Sequence, residues 1–135
     1  MDVLLILGIA LLSTVLMTAF SCILSKILAQ NLIEPYWLNV LLFKKRGWRN
    51  PLGWVTHYLT GIGFMYLLIF LNDLYPLSLI ATILVYGFLE GVLGIVMWGI
   101  LFKMTHYPHK LNVSWYYVNL IAAHIVFATA ALCTY

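Results

Sequence analysis

Apolar residues run almost unbroken along four stretches, about 3–28, 52–71, 77–102 and 113–134, and polar or proline-bearing connections separate them. A helix crossing roughly 30 Å of hydrocarbon needs about 20 such residues, and each stretch supplies them. None shows the apolar/polar alternation of barrel strands, and open strands in lipid would leave backbone groups unpaired. The pattern therefore predicts an all-α fold, a four-helix transmembrane bundle forming a single membrane domain over residues 1–135. The connection 34–51 is the only sizeable non-spanning piece. Glu34-Pro35 is expected to end the first helix, and Tyr36 to Phe43 to form a short helix lying in the membrane interface, followed by a basic cluster before Asn50-Pro51.

Within these stretches the polar and small residues fall on particular faces. Thr14, Thr18, Ser21 and Ser25 form one narrow stripe on the first helix. His57, Gly61, Phe64 and Leu68 share a face of the second, bordered by Thr60. Gly87, Gly91, Gly94 and Trp98 line up on the third, with Glu90 on the flank. Tyr117, Leu120, His124, Ala128 and Ala131 gather on the fourth. Because lipid gives helices no hydrophobic drive to associate, such small residues and interhelical hydrogen bonds are the expected packing contacts.

Composition agrees: of 135 residues, 64% are hydrophobic and only 8% charged, and the mean hydropathy is +1.02, beyond the range of a soluble domain. Met1-Asp2 lacks the positive n-region of a cleaved leader, so the first stretch is read as a retained helix. Cys22 and Cys133 are expected at opposite faces of the bilayer, too far apart to bridge. Lys44, Lys45, Arg46 and Arg49 follow the first helix and Lys103 and Lys110 the third, while 72–76 carries no basic residue. The positive-inside rule then places both termini outward and the basic loops against anionic lipid at the cytoplasmic face. That placement accounts for the net charge of +3 without a nucleic-acid partner. It would also leave the Asn112-Val113-Ser114 sequon unused.

Candidate chemistry centres on Glu90 and His124, both counted to the midplane, with His57 nearer the cytoplasm. A bare charge at that depth costs several kcal/mol or more, so Glu90 must be protonated or paired. One reading is structural, with protonated Glu90 bonded to His124 or to the Ser/Thr stripe. A second is an intramembrane ion, proton or small-ligand site made by Glu90, His124, His57 and Thr60, serving transport or permeation. A third places a b-type haem between His57 and His124. A metal held by Glu90 and the histidines has suitable ligand types but no diagnostic spacing, since His106 and His109 share a loop with nothing else of a zinc pattern. A fourth makes the chain an accessory subunit of a larger complex. A narrow interior also leaves room for a homo-oligomer to complete a pathway. No nucleophile triad, phosphate loop or dinucleotide fingerprint indicates an enzyme.

The segment His57-Tyr58-Leu59-Thr60-Gly61-Ile62-Gly63, the glycine-rich third helix with Tyr107-Pro108 after it, and Ala122-Ala123-His124-Ile125-Val126 together resemble small uncharacterised bacterial four-helix inner-membrane proteins. The resemblance covers roughly helices two to four. It implies the bundle fold and a bacterial inner membrane, and brings no reaction with it.

Overall fold

The computed structural model describes residues 2–135 apart from Arg46, Tyr107 and His109. Five helices follow one another: α1 (Val3–Ile27), α2 (Glu34–Leu41), α3 (Pro51–Leu74), α4 (Leu79–Thr105) and α5 (Val113–Thr134). All but α2 are long and apolar enough to cross a membrane. The side chains facing outward are themselves apolar, among them Leu4, Phe70, Ile80 and Ile100, as lipid contact requires. The chain is a small integral membrane protein with an all-helical bundle fold.

Local chemistry sets the ends. α1 closes when Ala29 adopts φ 50° and the Gln30 N–H donates to the Ser25 carbonyl at 3.0 Å. Pro35 therefore does not end the first helix. It sits in the first turn of α2, where its missing N–H leaves no bond unmade. Asn50 caps α3, its side chain accepting from the Leu52 N–H at 3.0 Å. α3 runs three residues past the expected end, absorbing Asn72, Asp73 and Leu74, because nothing disfavours helix until Tyr75, whose successor Pro76 pushes it out of the helical region. Ser78 then caps α4, which continues to Thr105, so Lys103 occupies its last turn rather than a loop.

α5 packs along both α1 and α4, α1 also packs on α3, and α2 lies against the start of α3, whereas α3 and α4 touch only sparsely. The bundle is therefore closed on the α5 side and open between α3 and α4. The inward face of α5 is set by Tyr116, fully buried, rather than by Tyr117. Asn39 ties α2 down: its amide donates to the Asn50 carbonyl at 3.0 Å and accepts from the Gly53 N–H at 2.8 Å. Two apolar clusters fill the interior. One joins Ile9, Met17, Leu68 and Phe127; the other joins Leu32, Trp37, Phe102 and Tyr116 near α2.

α4 and α5 approach each other closely. A Cβ at Gly91 would lie 2.6 Å from Ile121 Cα, and one at Gly87 2.9 Å from Ile125 Cα, so the two backbones meet where side chains are absent. Gly8 faces open space. Gly91→Ala is expected to lower bundle stability by about 1–3 kcal/mol through overpacking. Gly8→Ala should leave it unchanged or slightly raised. Thermal unfolding in detergent, followed by circular dichroism, checks the pair; equal midpoints would show that α4 and α5 can separate freely.

Candidate ligand cavity and the buried polar groups

A spanning helix has no water for its side-chain hydroxyls, so serine and threonine turn to their own backbone. Thr14 donates to the Ala10 carbonyl (2.8 Å), Thr18 to Thr14 (2.7 Å) and Ser25 to Ser21 (2.6 Å). All four stripe residues of α1 are buried. With its one proton spent on Thr14, the Thr18 hydroxyl can only accept from His57, whose Nε2 lies 2.9 Å away. His57 therefore carries its proton on Nε2. His124 has the opposite tautomer, since its Nδ1 sits 2.7 Å from the Leu120 carbonyl, an acceptor only. Its Nε2 is buried without a hydrogen-bond partner among the described residues. The ring is held edge-on to Phe64, centroids 4.6 Å apart, and rests on Gly94, where a Cβ would come within 3.1 Å of Cε1.

Glu90 is fully buried, and neither carboxyl oxygen has a partner among the described residues. It lies one turn of α4 before Gly94. A different carboxyl has found partners. Glu34, 2% exposed, accepts through Oε1 from Ser21 Oγ and from Asn119 Nδ2, each at 3.1 Å. The same amide reaches Ser21 Oγ at 3.1 Å and the Leu32 carbonyl at 3.3 Å, so α1, α2 and α5 converge on one group. Glu34 Oε2 and Asn119 Oδ1 remain unpartnered among the described residues. Burial raises the Glu34 carboxyl to about 7, opposed by its own backbone N–H, Ser21 and Asn119.

Between these groups lies a cavity of about 190 Å³ in the open side of the bundle. His57, Thr60 and His124 line it, as do Glu34 and Thr56; Phe64 and Trp98 supply aromatic walls. Glu90 is not among its lining residues. A shallower groove of about 330 Å³ continues from it along α3 and α4, sharing Thr60, Phe64 and Met97 and adding Gly63, Leu67 and Leu93. Of the expected site residues, the structure thus brings His57, Thr60, Gly61, Gly94 and His124 to one cavity. Gly87 and Gly91 lie at the α4–α5 contact, and Gly61 also abuts Thr14. Lys44, Lys45 and Arg49 are exposed beyond α2, and Arg46, placed with them in the sequence reading, lies outside the described residues, as do Tyr107 and His109.

A haem does not fit: His57 Nε2 is engaged by Thr18, and the cavity is sized for one ring rather than a macrocycle of four. Among the described residues no group of three or more His, Cys, Asp or Glu could hold a metal ion. Cys22 and Cys133 are both free.

Sequence reasoning passed over Glu34 and Asn119. Glu34 reads as a terminator because a carboxylate beyond a spanning stretch ordinarily meets water. Asn119 carried a usable signal, since an amide inside an apolar helix has no partner in lipid and must face protein. No protein-family model, curated protein or solved structure matches the chain.

Because Glu34 holds its proton to about 7 in the folded protein, against 4.5 ordinarily, folding takes up a proton between those values. Stability is then full below pH 4.5 and falls as pH rises toward 7, by at most about 3 kcal/mol, with no further change from this group above it. Unfolding midpoints measured from pH 4 to 8 should show this decline, and Glu34→Gln should flatten it.

Proposed function

We propose that this protein binds a small amphiphilic molecule taken from the bilayer through the gap between α3 and α4. The observation that carries the reading is the Nε2 of His124, unpartnered among the described residues, in the wall of a cavity lined mainly by apolar side chains. Buried acceptors are seldom left without a donor, and such exceptions call for a water or ligand. The size is suitable, since dry cavities of roughly 150 Å³ take up benzene. The exposed Lys44, Lys45 and Arg49 support an orientation with the α2 end at the cytoplasmic face, against anionic lipid, and with both termini outward.

Benzyl alcohol, a single ring with one hydroxyl donor, is the probe for this site. Calorimetric titration into the detergent-solubilised protein should show saturable binding. His124→Phe keeps the ring on Phe64 and Gly94 but removes the acceptor, and should weaken binding roughly tenfold. Thr60→Phe, which places a ring at the junction of cavity and groove, should abolish it; undiminished binding there would put the probe elsewhere and remove the reading.

A second reading attaches to Glu90, whose two unpartnered oxygens suit a proton-carrying group better than a packing contact. An unpaired buried carboxyl contributes nothing to stability that an apolar group of similar length would not. Glu90→Met is therefore expected to match or exceed the wild-type unfolding midpoint by up to about 1–3 kcal/mol. A clear loss of stability would return Glu90 to a structural role.

A further inference from the structure

The polar groups of the cavity wall share one property beyond their position. Thr56 donates to the Leu52 carbonyl at 2.9 Å and Thr60 to Thr56 at 2.8 Å. His57 gives its Nε2 proton to Thr18, and His124 its Nδ1 proton to Leu120. Each side-chain donor is thus already spent on the protein, and what remains toward a guest is lone pairs: the hydroxyl oxygens, His57 Nδ1 and His124 Nε2. Apart from the Trp98 indole, the wall offers acceptors. Glu34 extends the series, because Ser21 and Asn119 both bond Oε1 and leave Oε2 unpartnered. Phe64, Trp98 and Phe127 stand around the same space, and aromatic faces attract cations. A phosphate or carboxylate head would meet acceptors only, whereas an ammonium group brings the donors and the charge that this lining lacks.

Resting on the cavity reading above, we infer that the bound molecule is an amphiphilic amine, its ammonium held by the Glu34 carboxylate and its apolar tail lying in the α3–α4 groove. The groove is continuous with the cavity through Thr60, Phe64 and Met97, so one molecule can occupy both. Ammonium binding favours ionised Glu34, which takes its proton near pH 7, so affinity rises with pH through neutrality. Other titratable groups near Glu34 are Cys22 on α1, Tyr116 on α5 and, across the cavity, His57 on α3 and His124 on α5; the α4 wall there, Gly94, Met97, Trp98 and Leu101, contributes none.

The test compares benzylammonium, protonated throughout pH 5.5–8, with uncharged benzyl alcohol by calorimetry on the full chain. At pH 8 benzylammonium is expected to bind about tenfold or more tightly than the alcohol. Glu34→Gln should bring the two to similar affinity. In the wild type, lowering the pH to 5.5 should weaken benzylammonium and leave the alcohol unchanged, which decides the matter even where Glu34→Gln fails to fold. Equal affinities at pH 8, or a preference untouched by both Glu34→Gln and pH, would overturn the ammonium inference while leaving the cavity reading intact. If neither probe binds, the cavity reading itself falls.

Discussion

A carboxyl group that leaves water must find donors or keep its proton, and Glu34 meets this demand by drawing on two other helices. Ser21 reaches it from α1 and Asn119 from α5, with Asn119 also holding the Leu32 carbonyl just before α2 begins. The chain between α1 and α3 is thereby turned back onto the bundle. Asn39 secures the other end of α2 against α3. With both ends tied, Leu38 and Leu42 become part of the cavity wall, and a cleft that would open to the membrane surface gains an end.

The opposite constraint acts on the other side. α4 and α5 approach at Gly87 and Gly91 closely enough that a single methyl group would intrude. α5 in turn packs on α1, and α1 on α3, so the four long helices form a chain of contacts that only a sparse contact between α3 and α4 closes. Drawing α4 tightly onto α5 leaves it apart from α3. The cavity lies on that less tightly packed side, where Gly61 and Gly94 abut Thr14 and His124 and Gly63 in the groove faces open space.

Two buried carboxyls in so small a protein invite comparison. Glu34 sits at the start of a short helix, hydrogen-bonded on one oxygen, beside a cavity. Glu90 sits mid-helix in α4, and neither of its oxygens has a partner among the described residues. The first has one oxygen anchored and the other unpartnered among the described residues. The second has no such anchor among the described residues, and its neighbours on α4, Gly87, Gly91 and Gly94, are packed against α5 and offer it no side-chain donor.

Much of this was legible in the chain. Four long apolar runs can only be helices in lipid, and the serine, threonine and glycine stripes are buried because those groups have no use for hydrocarbon. His57 and His124 stood out for the same reason. Local signals also placed most ends, with the overrun of α3 traceable to Pro76 and the start of α2 to Pro35 in its first turn. What the tertiary structure alone decided is which polar groups meet. Periodicity marks a face but not its partner, so nothing in the order of residues says that Asn119 lies across from Glu34, 85 positions away, or that His124 faces the cavity while Glu90 does not line it. Those outcomes depend on the relative rotation and spacing of helices, which are set by packing between segments distant in sequence.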